Sequence, residues 1–192
     1  EVANRVKREK DKGHDIVVVV SAMGKTTDEL LNLAFGLAES PSKREMDMLL
    51  SNGEQVTMAL LSIKLNAIGI DAISLTGAQA GLLTDSVHRN AKVMKMDPSK
   101  IDGLLAANKV VIVAGFQGIS EAGEITTLGR GGSDTTAVAI AASIEAEICD
   151  IYTDVDGIYT SDPRYIESAR KLEQLEYDEM YSGEPLCRKC GA

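Results

Sequence analysis

Four stretches of the chain are short, apolar and continuous rather than alternating: Asp15–Val20, Asp71–Leu75, Val110–Ala114 and Ile148–Tyr152. Runs of this length, rich in β-branched residues, are what strands look like when both faces of a parallel sheet are covered. Cys149 falls inside the last run and is expected to be buried with it. Between the runs the period changes to that of a helix. Leu30, Leu33, Ala34 and Leu37 follow i, i+3, i+4, i+7 spacing, as do Ala137, Ile140, Ala141 and Ile144, and Ile101, Leu104 and Leu105 form a shorter version. Thr26 and Glu29 have capping-box spacing ahead of the first of these helices. Asp97-Pro98 reads as an N-cap followed by a proline in the first helical position. Met46 to Leu65 is a longer helical region broken at Ser51-Asn52-Gly53, with its methionines as core filler. Asp156-Gly157 between apolar residues signals a hairpin, and Lys171 to Tyr181 a short strand leading into a helix.

Strand and helix alternating this regularly predict an α/β fold, a three-layer α/β/α sandwich around a mainly parallel sheet with right-handed crossovers. Ligands of such folds sit at the carboxyl ends of the strands, so the loops there carry the candidate chemistry.

Composition narrows the possibilities. In 192 residues there are 20 Lys plus Arg and 29 Asp plus Glu, a net charge of −9. That balance, without a basic stripe, argues against a nucleic-acid partner. No apolar run is long enough to cross a bilayer and no signal-peptide pattern opens the chain, so no membrane role is expected. Three cysteines, Cys149, Cys187 and Cys190, are too few and too unevenly placed for a disulfide framework, and point to a reducing cytoplasm. Cys187-x-x-Cys190 lacks two further zinc ligands, so no metal site built by the protein is expected. His14 and His88 belong to no nucleophilic triad.

Gly24-Lys25-Thr26 suggests a phosphate-binding P-loop, but the glycine required five residues earlier is Val19, inside the first strand. What remains is a small-residue loop with hydroxyls at a helix start. Thr76 to Gly81 offers two glycines and small side chains, and by itself is an ordinary turn. The strongest segment comprises Gly115-Phe116-Gln117-Gly118 and then Thr126 to Asp134, Thr-Thr-Leu-Gly-Arg-Gly-Gly-Ser-Asp, which opens the Ala-rich helix. Its glycines free backbone N–H groups for a ligand, the helix start adds positive potential, and Arg130 offers a two-pronged grip on a carboxylate or phosphate. Asp134 next to them fits an anion-handling site better than simple helix capping. Thr153 to Arg164 supplies a carboxylate, an aromatic ring and an Arg. The position two before Asp154 is Tyr152, which rules out an EF-hand register. Glu54 stands alone on an apolar helix, either on its solvated face or aimed at the strand ends to hold an ammonium group.

Taken together, Ser21 to Leu30, Gly53-Glu54-Gln55, Thr76 to Gly81, Gly115 to Gly118, Thr127 to Thr136 and Tyr152 to Gly157 resemble the aspartate kinase (aspartokinase) family of the amino acid kinase fold. The resemblance spans roughly residues 1 to 180, with the motifs in family order. It implies ATP-dependent phosphorylation of the L-aspartate side-chain carboxylate to 4-phospho-L-aspartate, the first step toward lysine, threonine and methionine. It also implies Mg²⁺ accompanying the nucleotide, and a homodimer. Carried onto matching positions, it gives Arg130 a substrate carboxylate and Glu54 the α-ammonium. Thr27, Ser133 and Asp134 would line the amino-acid pocket, with Asp134 and Arg130 nearest the chemistry. Thr153, Asp154, Tyr159, Asp162, Pro163 and Arg164 would hold the nucleotide. The implied organisation is an amino-acid lobe over 1–117, a nucleotide lobe over 118–180 and a divergent tail over 181–192, with no regulatory ACT domain among these residues. The family's Lys-Phe-Gly-Gly and Gly-Ala-Lys loops do not occur in the sequence, and it begins with Glu1, so the chain is expected to be part of a longer protein and slow alone. Other readings are a different kinase of the same fold, acting on glutamate or a nucleoside monophosphate, and a non-catalytic nucleotide-binding or subunit-interaction fragment.

Overall fold

Three of the four apolar runs form one parallel sheet. In the computed structural model, which describes residues 1–152, 157–161, 165–173 and 187–188, strands β1 (Val17–Val20), β2 (Ala72–Leu75) and β5 (Val110–Ala114) pair in the order β1-β5-β2. Val17 lies beside Val111 and Ala72 beside Val110. The alternation of β5 distributes its side chains to two cores. Val110, Ile112 and Ala114 face α1 (Val2–Asp11) and α4 (Asn52–Ala67), through Ala3, Val6, Met58 and Leu65. Val111 and Val113 face α5 (Ser99–Ala106) and α6 (Gly132–Ser143), through Ile101 and Ile140. All five residues of β5 are fully buried. The expected α/β layering, helices on both faces of a parallel sheet, is therefore present.

A second sheet is mixed. Its order is β4 (Val93–Met96), β3 (Leu82–Thr84), β6 (Gln117–Ser120), β7 (Ile125–Thr127). β3 runs parallel to β6, and the outer pairs are antiparallel. Gln117, Gly118, Thr126 and Thr127 thus belong to strands rather than loops. α2 (Thr26–Leu37) and α3 (Lys43–Leu50) close a third core around Ala34, Met46 and Leu50. The break expected at Ser51-Asn52-Gly53 separates α3 from α4.

Three local expectations need correction. Thr26 does not cap α2 but lies in its first turn, because its hydroxyl donates back to the Met23 carbonyl at 2.8 Å instead of accepting from the helix. Asp97 does act at the start of α5, one residue earlier than expected. Its Oδ1 accepts from the Ser99 N–H and hydroxyl, leaving Pro98 at the boundary. Ile148–Tyr152 is not a strand among the described residues. It forms no ladder, Ile148, Ile151 and Tyr152 are exposed, and so is Cys149. An apolar run becomes a strand only where a second backbone takes its hydrogen bonds, and the run itself does not encode that partner.

The chain divides into two compact units, Glu1–Cys149 and Asp150–Ala192. The expected lobe boundary at 117/118 falls inside the first, between residues of β6. In the second, β8 (Ile158–Tyr159) pairs antiparallel with β9 (Cys187–Arg188), and Tyr159 also bridges Lys171. Asp156 of the expected hairpin, Cys190 and the expected helix start beyond residue 173 lie outside the described residues. No described helix is long and apolar enough to cross a membrane.

Candidate functional site

The loops that leave β1 and β5 meet the N-terminus of α6, and between them lies a cleft of about 320 Å³. Ser21, Ala22 and Thr27 line it from the β1 side, Phe116 from the end of β5, and Gly129 to Asp134 from the turn into α6. Glu54 reaches it from the first turn of α4. This is the carboxyl edge of the parallel sheet, where α/β folds place ligands.

Close backbone approach makes the cleft possible. A Cβ on Gly115 would lie 2.8 Å from the Ser133 side chain, so only glycine lets the α6 start come this near to the end of β5. Gly131, at the N-cap of α6, has φ +75°, a conformation costly to side-chain-bearing residues. Phe116 adopts φ +67° despite its side chain. It is held there because its N–H donates to Thr136 Oγ1 at 3.2 Å and its carbonyl accepts from the Leu128 N–H at 2.8 Å. Strain of about 1–2 kcal/mol kept in place by neighbouring bonds is a common feature of functional loops.

Glu54 does not lie on a solvated face: it is 4% exposed. Its Oε1 accepts from the Ala22 N–H at 3.1 Å, while Oε2 is buried with no hydrogen-bond partner. Burial pushes its carboxyl above the ordinary carboxylate range, against the pull of its own and the Ala22 N–H groups. A buried anion with an unused oxygen is the receptor for a cation or a donor that the protein does not provide. Arg130 and Asp134 differ in being exposed at the cleft wall. Asp134 stands in the first turn of α6, whose free N–H groups and dipole favour negative charge nearby.

All five residues expected to line an amino-acid pocket, Thr27, Glu54, Arg130, Ser133 and Asp134, share this one cleft. Of the expected nucleotide residues, Thr153, Asp154, Asp162, Pro163 and Arg164 lie outside the described residues. Tyr159 is in β8 of the second unit. Ser21, Ala22 and Phe116, which the sequence places in candidate loops without an individual role, also line the cleft. Their positions directly after β1 and β5 were the available signal. The Thr76 loop is a plain turn. Thr76 Oγ1 accepts from the Gln79 N–H and Gln79 Oε1 from the Thr76 N–H, while Gly77 packs on the Gln117 backbone. Among the described residues no His, Cys, Asp and Glu cluster could hold a metal ion.

The sequence profile described as amino acid kinase family matches residues 1–187. An aspartokinase of Geobacillus stearothermophilus is 63% identical over 179 residues, which is 93% of this chain and 44% of that protein. Aspartokinase 2 of Bacillus subtilis is 62% identical over 178 residues, with the same two coverages. Among solved structures, an aspartate kinase from Synechocystis is 53% identical with a TM-score of 0.76, covering 93% of this chain and 29% of that one. E. coli aspartokinase III, crystallised with aspartate and ADP, is 32% identical with a TM-score of 0.59, covering 77% of this chain and 34% of its own. The chain thus spans less than half the length of these relatives.

Proposed function

Since the chain belongs to the amino acid kinase family, we propose that it is the catalytic part of an aspartate kinase, phosphorylating the side-chain carboxylate of L-aspartate with ATP to give 4-phospho-L-aspartate. The observation that carries this reading is the unpartnered Glu54 Oε2 in the same cleft as Arg130. An amino acid zwitterion needs one anion and one cation from its receptor, and the cleft offers both. Glu54, nearly sealed from water, takes the α-ammonium, where the low surrounding polarity strengthens the contact. Arg130, on the open wall, takes a carboxylate with its fork of N–H donors. Thr27 and Ser133 add hydroxyls, and Asp134 sits at the α6 start close to the reacting carboxylate. The same pairing disfavours a nucleoside monophosphate as acceptor, which has no ammonium for Glu54.

In this reading the protein's contribution to phosphoryl transfer is placement and neutralisation of charge rather than covalent chemistry. The acceptor carboxylate oxygen attacks the γ-phosphorus in line, and ADP leaves. Mg²⁺ would come with the nucleotide phosphates and offset their charge. Residues 1–117 form the amino-acid lobe, and residues 118–180, with Thr153, Asp154, Tyr159, Asp162, Pro163 and Arg164, the nucleotide lobe, which also lends Arg130, Ser133 and Asp134 to the amino-acid cleft. A dimer in the cytoplasm completes the proposal. Sedimentation at micromolar concentration showing only monomer would contradict the dimer.

Trapping with hydroxylamine tests the reaction. With ATP and Mg²⁺, L-aspartate should yield an acyl hydroxamate, slowly with residues 1–192 and faster when the family's two lysine loops are joined to them. Hydroxamate from L-glutamate but not from L-aspartate would favour another kinase of the fold. ATP binding with no acceptor phosphorylated in either form would favour a non-catalytic fragment.

A further inference from the structure

Outside the cleft, Asp47 on α3 has a fully buried side chain that gathers several hydrogen bonds. Its Oδ1 accepts from the Thr127 hydroxyl, and both oxygens accept from the Arg89 N–H, at 3.1 and 3.2 Å. Oδ2 lies 2.7 Å from His88 Nδ1. Three segments far apart in sequence therefore converge on one carboxylate: α3, the turn joining β3 to β4, and the end of β7.

Each of these segments leads to the cleft. Arg89 has φ +72°, a left-handed conformation that Asp47 holds by taking its N–H. The residues after it support the loop that carries Arg130. The Ala91 N–H donates to the Thr127 carbonyl at 3.0 Å, and Asn90 lies so close to Gly129 that a Cβ there would be 2.5 Å from its Oδ1. On the other side, the Asp47 carbonyl accepts from the Ser51 N–H at 3.0 Å, and the Ser51 carbonyl accepts from Gln117 Nε2 at 2.7 Å. Glu54 lies in the turn that follows.

We propose that Asp47 is a positioning residue for the amino-acid cleft: through Thr127 and the Arg89 N–H it ties the helix elbow carrying Glu54 to the loop carrying Arg130 and so sets their separation. The inference rests on the aspartate reading of the cleft. Replacing Asp47 alone by an apolar side chain would leave the Thr127 hydroxyl and the Arg89 N–H without their acceptor. What a buried carboxylate adds is direction, since its donors must approach along defined lines. Asp47 touches no part of the cleft, so it acts only through the loop it holds.

The test uses Thr127→Val, which removes the hydroxyl and keeps the shape, Thr127→Ser, which restores it, and Asp47→Asn. L-aspartate and ATP affinities are measured by calorimetry, and amide hydrogen exchange by mass spectrometry. Thr127→Val and Asp47→Asn should each weaken L-aspartate binding about tenfold or more, as expected for a hydrogen bond to a charged group, with ATP affinity within about twofold. Exchange over residues 128–134 should accelerate while β5 stays protected, and Thr127→Ser should recover both readouts. A merely structural role predicts equal losses for both ligands and faster exchange in β5 as well, which would overturn the inference. So would unchanged aspartate affinity in Thr127→Val and Asp47→Asn. If the unaltered chain binds no L-aspartate, the aspartate reading falls, and this inference falls with it.

Discussion

Glu54 and Ala22 are 32 residues apart, yet the Ala22 N–H donates to Glu54 Oε1 at 3.1 Å and leaves Oε2 buried without a partner. That contact joins the β1 loop to the first turn of α4 and aims half of a carboxylate into the cleft. Its energetic sign is unusual. Most ionised carboxylates in folded proteins are stabilised by their surroundings, whereas burial makes this one costly until a cation arrives.

Glu54→Gln should therefore leave the unliganded chain as stable or more stable, by about 1 kcal/mol at neutral pH, because a neutral amide avoids the cost of the buried charge. It should also weaken L-aspartate binding about tenfold or more, because the ammonium loses its counter-ion. Denaturant melts and calorimetry on the same preparations check both. A large loss of stability with intact binding would contradict the assignment.

The pH dependence follows from the raised carboxyl. A group whose folded pKa lies above its ordinary value of 4.5 holds its proton more tightly in the folded chain. Its share of stability is present below 4.5 and is lost as pH rises through the folded value. Binding of an ammonium runs the opposite way: L-aspartate affinity should fall as pH drops through that raised value, where Glu54 becomes neutral. Glu54→Gln should flatten both profiles above pH 4.5, because the raised carboxyl is then gone.

Arg130→Ala should weaken L-aspartate binding far more than ATP binding, because the lost fork serves one ligand only. Loss of a buried charge-assisted pair costs about 2–5 kcal/mol, and the exposure of Arg130 on the open wall places it near the lower end of that range. Equal losses for both ligands in calorimetric titration would remove Arg130 from the amino-acid site.

Gly115→Ala should destabilise the chain by about 1–3 kcal/mol, since the new methyl would fall 2.8 Å from Ser133 and push the α6 start outward. L-aspartate affinity should drop with it, because Arg130, Ser133 and Asp134 move together. Thermal melts and aspartate titration report the two effects. Wild-type values for both would show that the close approach is not required.

Much of the site was legible because its residues lie beside strong local signals. β5 was expected over Val110–Ala114 and occupies those residues. Glu54 and the Arg130–Asp134 run came from the loops after apolar strands and at helix starts, and the fold brings them into one cleft. The mixed sheet was not legible. β3 and β7 have three residues each, too few to establish a period, and β6 reads Gln-Gly-Ile-Ser, a composition that resembles a turn. Ile148–Tyr152 shows the converse error, a strand-like composition without a ladder. The Asp47 network was invisible because its partners are 41, 42 and 80 residues away, and no local pattern announces a buried carboxylate on a Met- and Leu-rich helix.

The most direct measurement of the central claim is calorimetric titration of the chain with L-aspartate and with succinate, which has the same two carboxylates and no ammonium. L-aspartate should bind about tenfold or more tightly than succinate, and Glu54→Gln should remove most of that difference while leaving succinate affinity nearly unchanged. Equal affinity for the two ligands in the unaltered chain, or a preference that survives Glu54→Gln intact, would contradict that claim.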